Sequence, residues 1–251
     1  GGGFYSVEFY VQEARRKGAD IQAPCINTSS AVTIINGTRI YLGLGMIRDL
    51  EHPVIERILQ AKKAGGSFTS WEDFIDRVNI GLEQCVVLIR VGAFRFFGKN
   101  KKELLWKAQL HFMQNKSLTS DTLFGVERKQ FEFPVFQHDA LEDAYDEMEL
   151  MGFPLCSPFE LIVQEGNSFI FSKELPNQLG KEVSGCVYYI TCKPTRTSKG
   201  DRMYFGNFLD VEGGFVDTAH FPQPHLRNMD WRGAGIYYIK GKVIEEFGAW
   251  S

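Results

Sequence analysis

Leu82-Glu83-Gln84-Cys85-Val86-Val87-Leu88-Ile89-Arg90-Val91-Gly92-Ala93-Phe94-Arg95-Phe96-Phe97-Gly98-Lys99-Asn100-Lys101-Lys102-Glu103-Leu104-Leu105 is the stretch that decides the architecture. Apolar residues recur at helical spacing from Leu82 to Val91, and Gly92 closes that helix. Asn100 caps a second helix carrying Leu104, Leu105 and Ala108. Two helices joined by a glycine turn present backbone N–H groups at the start of the second helix, which suits an anion. Glycine lets a phosphate approach the backbone. Arg90, Arg95, Lys99, Lys101, Lys102 and Lys107 surround the turn, against Glu103 alone. That composition matches a sequence-independent grip on a nucleic-acid backbone. The plain alternative is a glycine-capped connection with a solvated basic face, and the pattern alone weighs the two evenly.

Upstream, residues 42–114 read as helices in short pieces. Pro53 suits a first helical position, Val54, Ile55, Ile58 and Leu59 make a buried stripe, and Gly65-Gly66 ends it. Ser70 caps a helix reaching Val78. Val7, Tyr10, Val11 and Ala14 predict a helix that Gly18 stops. Residues 19–37 are expected to be extended or looped, with an Asn36-Gly37 turn, and Arg39 to Leu42 to form a short strand. Residues 115–138 lack a period and read as linker. Asp139 then caps a helix expected to turn Leu141, Ala144, Tyr145 and Met148 inward and Glu142, Asp143, Asp146, Glu147 and Glu149 outward.

From about residue 181 the period changes to two. Strands are expected from Val183, over Met203–Leu209, over Phe215–Phe221 and over Ile236–Phe247, with a short helix or loop at 223–232 and a bulge signal at Gly241. Short strands with one insertion after the third have the order of an OB-fold barrel. Lys193, Arg196, Lys199 and Arg202 bracket its first turn beside Tyr188, Tyr204, Phe205 and Phe208. Basic groups near aromatic platforms suit single-stranded nucleic acid, with one of Tyr204 and Phe205 facing out.

The 251 residues are ordinary in composition, with 44% hydrophobic and 24% charged residues, so disorder and collagen are excluded. No apolar run is long enough to span a bilayer. Five cysteines without a C-x-x-C pair argue against a disulfide scaffold and point to a reducing cytoplasm. The opening Gly1-Gly2-Gly3 reads as the start of an excised piece. The net charge of −3 hides segregation: residues 1–118 carry +5, residues 119–179 carry −9 and residues 180–251 carry +1. There is no G-x-x-x-x-G-K-[ST] loop, no H-E-x-x-H and no G-x-S-x-G. Gly43-Leu44-Gly45 meets Arg48 where a dinucleotide fingerprint needs its third glycine. No catalytic residue and no metal ligand set is expected within the chain.

Tyr10 to Gly18, Ile40 to Ile47, Phe68 to Phe74, Leu88 to Phe94, Leu123-Phe124-Gly125, Glu149 to Leu155 and Thr195 to Gly213 occur in an order and spacing that resemble the region downstream of the catalytic palm in bacterial DNA polymerase III alpha subunits, the replicative C-family polymerases. The resemblance implies an α+β, multidomain fold: a tandem helix-hairpin-helix α domain followed by an OB-fold β-barrel. It implies the end of the fingers over 1–38 and the helix-hairpin-helix domain over 39–114. An acidic linker with a clamp-binding segment and one helix follows over 115–180, then the OB domain over 181–251. Duplex DNA would meet Arg90, Gly92, Ala93, Gly98, Lys99, Lys101 and Lys102 in the second hairpin, and Gly43, Gly45 and Arg48 in the first. Single-stranded DNA would meet Lys193, Arg196, Lys199, Arg202 and Tyr204, and a sliding clamp would meet Leu123 and Phe124. Other replisome subunits are further partners, and magnesium belongs to the palm, which is missing here.

Three departures accompany the resemblance. Arg48-Asp49-Leu50-Glu51-His52-Pro53 stands where the first hairpin has a glycine-rich turn. Ser120 stands where the clamp motif begins with glutamine. The last expected strand ends close to Ser251, with no fifth strand identified. The competing reading is a replisome interaction scaffold with little direct DNA binding.

Overall fold

The computed structural model describes residues 6–118, 134, 136–162, 168–222, 233–246 and 249–250. The readings on Leu123, Phe124 and residues 223–232 lie outside the described residues. The chain divides into two compact units, residues 20–155 and residues 1–19 with 156–251. The amino-terminal helix therefore groups with the sheet, and the acidic helix with the other helices.

Helix α1, Val7–Arg16, starts where the Ser6 hydroxyl accepts the Phe9 N–H at 3.2 Å. In the helical unit, β1 (Asp20–Gln22), β2 (Ile34–Asn36) and β3 (Arg39–Tyr41) form a small sheet in the order β1-β3-β2. Then follow α2 (His52–Gly65), α3 (Trp71–Arg77), α4 (Leu82–Arg90), α5 (Lys101–Leu118) and α6 (Ala140–Met151). Their buried faces carry Val54, Ile55, Ile58, Phe74, Leu88, Ile89 and Leu104. Phe94, from the turn after α4, packs edge-on to Phe74 with ring centroids 5.0 Å apart. Each such buried side chain stabilises the unit by roughly 2 kcal/mol.

Helix α6 turns Ala144 inward and leaves Glu142 and Glu149 exposed, as expected, but it departs from expectation elsewhere. Leu141 is 43% and Tyr145 62% exposed, whereas Glu147 is only 6% exposed. Ala144, Leu150 and Met151 supply the apolar contacts of α6. Glu147 is buried and Asp143 and Asp146 are half-buried beside these apolar groups, where a cluster of cations compensates them.

The second unit is built on four antiparallel strands, β4 (Glu182–Arg196), β5 (Arg202–Leu209), β6 (Phe215–His220) and β7 (Ile236–Lys242), in the order β6-β5-β4-β7. A two-residue pair, β8 (Glu245–Glu246) and β9 (Ala249–Trp250), follows. Alternation sends Val187, Phe208 and Val216 to one face and Cys186, Tyr188, Ile190 and Leu209 to the other. Phe159 and Phe9 of α1 cover the second face, where Phe9 stacks on Phe215 at 5.0 Å. The sheet is a curled half-barrel of OB-like arrangement, so the fold is α+β with a helix-hairpin-helix part and an OB-like part. Its register break falls between Tyr189 and Thr191, while Gly241 pairs in register with Val183, so the bulge signal at Gly241 was misplaced. Among the described residues no helix is long and apolar enough to cross a membrane.

Candidate nucleic-acid interface

The second hairpin is assembled by two glycines with left-handed backbones, Gly92 at φ 75° and Gly98 at φ 65°. The Gly92 N–H donates to Ile89 O at 3.0 Å and the Ala93 N–H to Leu88 O at 2.9 Å. These two donors thus finish α4 rather than face outward, because a helix end must satisfy its own carbonyls first. Asn100 Oδ1 accepts the Lys102 N–H at 2.8 Å, capping α5. The positive end of the α5 backbone dipole opens here. Gly92, Phe94, Arg95, Lys99, Asn100, Lys101, His138 and Asp143 are among the residues that line a cleft of about 170 Å³ at this end.

The cations around the turn are engaged by α6. Arg90 donates to Asp146 at 2.8 Å and also to Glu149. Lys101 pairs with Asp146 at 2.7 Å and with Asp143. Lys102 meets Glu142 at 2.9 Å and Arg95 meets Glu147 at 2.9 Å. Lys99 differs: its acidic partner is Glu103, four residues on in the first turn of α5, at 3.5 Å, and its side chain is half exposed. The hydrogen bond from Arg90 holds the Glu149 carboxyl below its usual range. Burial pushes Glu147 up, opposed by the Leu155 N–H and by Arg95. Burial also acts to raise Asp143, but Lys101 and His138 hold it low.

The first hairpin uses its glycines differently. An ideal Cβ on Gly43 would lie 2.5 Å from the Val32 carbonyl carbon, and one on Gly45 would lie 2.8 Å from Ala31 O. Both glycines thus admit the backbone of 31–33 at close approach. Arg48 points its guanidinium toward the carboxy-terminal carbonyls of α6, 3.4 Å from Glu149 O.

On the sheet, register separates the residues read as one surface. Lys193 lies directly opposite Phe205, and Tyr204 opposite Pro194 and His220, so Lys193 and Tyr204 sit on opposite faces. Arg196 and Arg202 pair across the end of the hairpin, and Lys199 occupies its turn. Phe205 is the exposed aromatic, at 49%, while Tyr204 is half-buried. Of the two adjacent aromatics, the one that faces out is thus Phe205, and Tyr204 is turned to the other face. The burial of Glu147 and part-burial of Asp143 and Asp146 were not legible in the helix itself, and the signal available was the run of cations over 90–102. Among the described residues no three His, Cys, Asp or Glu side chains gather as a metal cluster.

A family profile described as a helix-hairpin-helix motif matches residues 18–104. The chain is 40% identical over 108 residues to the error-prone DNA polymerase of Mycolicibacterium paratuberculosis, covering 42% of this chain and 10% of that protein. It is 24% identical over 264 residues to DNA polymerase III subunit alpha of Borreliella burgdorferi, covering 96% of this chain and 22% of that protein. The same subunit of Aquifex aeolicus is 27% identical over 247 residues, covering 94% and 19%. Homologues named DNA polymerase III subunit alpha or error-prone DNA polymerase thus cover most of this chain, which spans about a tenth to a fifth of their length.

Proposed function

We propose that this chain is the DNA-binding and clamp-tethering region of a bacterial replicative DNA polymerase alpha subunit. The observation that carries the proposal is the second hairpin, where a helix-hairpin-helix match coincides with a cleft of cations at the dipole-positive end of α5. Contacts to phosphate there hold duplex DNA without reading its sequence. The Lys193–Phe205 face and the Arg196–Lys199–Arg202 turn take single-stranded template, and Leu123 and Phe124 take a sliding clamp. In this proposal nucleotidyl transfer and its magnesium belong to other parts of the polymerase, and the setting is the cytoplasm.

A salt titration of duplex binding by the whole chain tests the reading. Unrelated duplexes should bind with equal, weak affinity, and log K should fall against log salt with a slope of about −2 to −4. Salt-independent or absent binding overturns it in favour of a replisome interaction scaffold. That second reading is favoured by one observation, the pairing of Arg90, Lys101 and Lys102 with acids.

A further inference from the structure

The acids of α6 pair with the cations that the duplex site proposed above would offer to phosphate. Four cations of the hairpin, Arg90, Arg95, Lys101 and Lys102, meet five carboxylates of a single helix, at Glu142, Asp143, Asp146, Glu147 and Glu149. These partners differ in how firmly they are held. Glu147 is buried and also accepts the Leu155 N–H at 2.7 Å, which ties it into the fold. Glu142 and Glu149 are half-exposed or more, in ion pairs that water can replace. The helix also leaves Leu141 and Tyr145 in solvent and keeps its large buried apolar side chains, Leu150 and Met151, at its carboxy-terminal end, so along 142–149 its attachment rests on Ala144 and on these ion pairs. An attachment of that kind exchanges readily with another polyanion.

We infer that α6 is a charge-held latch on the second hairpin, occupying its cations until the phosphates of duplex DNA displace the carboxylates. The inference rests on the duplex-binding role proposed above and adds a regulation to it. Binding would then depend on a competition inside the chain, and the free hairpin would hold DNA more tightly than the intact chain does.

The test compares the 251-residue chain with its Glu142→Gln/Asp146→Asn/Glu149→Gln variant, using one duplex in a salt titration. The variant should bind about tenfold more tightly at low salt, with a steeper slope, because the freed cations then release counterions of the DNA. Equal or weaker binding by the folded variant overturns the latch while the duplex role stands. Absence of binding by both chains at low salt overturns both. Glu149→Gln alone changes an exposed side chain, so it folds even where the triple variant does not, and it should tighten binding about twofold. Amide exchange in 140–151 of the parent should accelerate on adding saturating duplex, and unchanged or slower exchange also overturns the latch.

Discussion

The two hairpins of the helical unit both contain a pair of glycines, and the pairs do opposite jobs. Gly43 and Gly45 are needed for space: the backbone of 31–33 fills the volume beside them. Gly98 is needed for conformation: it turns the chain at φ 65° with open space around it. A glycine that lets the protein's own backbone in has used up the close approach that a phosphate needs. One that merely reverses the chain leaves that approach available. The comparison therefore gives Gly43 and Gly45 a packing role, and it makes the open turn at Gly98 the place to test for anion binding.

The largest effect that could break this contrast is steric. Gly43→Ala puts a methyl group against backbone that cannot move aside, and should destabilise the chain by about 3 kcal/mol in denaturant unfolding. A cost near zero would mean that the 31–33 strand is loosely placed and the first hairpin open. Next comes a contrast of the same kind, filled against open, between two buried glutamates. Glu147 has Arg95 and the Leu155 N–H, whereas Glu8 Oε1 and the neighbouring Tyr188 hydroxyl are buried without a well-formed hydrogen bond among the described residues. Burial pushes Glu8 up to about 7, with Tyr188 and Arg15 opposing. The folded carboxyl thus holds its proton where the unfolded one has lost it. Stability of the sheet unit is highest below the unfolded value near 4.5, falls as pH rises to about 7, and then levels, a loss of about 3 kcal/mol. Glu8→Gln should abolish that part of the pH dependence in melting curves at pH 5 and pH 8. An unchanged difference would show that Glu8 is solvated.

Gly98→Ala is smaller in effect. It places a Cβ in a left-handed conformation but meets nothing, so it should cost about 1 kcal/mol and leave the fold intact. A loss as large as that of Gly43→Ala would erase the distinction between the two glycine roles.

Much of this was readable in the residues because local chemistry decides it. Ser70 and Asp139 cap their helices through side-chain oxygens, and the period-two runs became β4 to β7 in order. What was not readable depends on partners far along the chain. The inward face of α6 is chosen by Arg90 and Lys101, some 45 to 56 residues away, and a helical wheel cannot see them. That Lys193 lies beside Phe205 rather than Tyr204 depends on the register break near Tyr189, which shifts the faces of β4 by one residue. The crowding at Gly43 needed the path of 31–33, set by pairing of β2 with β3.

The smallest effect is the one that bears most directly on DNA. Lys99 is half exposed and meets a carboxylate, Glu103 at 3.5 Å, which it shares with Lys107, and so long a pair is weak enough for a phosphate to replace. Arg48 is equally basic but faces helix-end carbonyls. Lys99→Ala should therefore flatten the slope of log K against log salt for duplex binding by about one unit, with unrelated sequences weakened alike, since one phosphate contact is lost. Arg48→Ala should leave that slope unchanged. The two variants carry the same loss of charge, so net charge alone predicts the same result for both. A difference between them reports where phosphate lies. If Arg48→Ala flattens the slope as much as Lys99→Ala does, the first hairpin also grips DNA, and the packing of 31–33 against Gly43 and Gly45 does not exclude it.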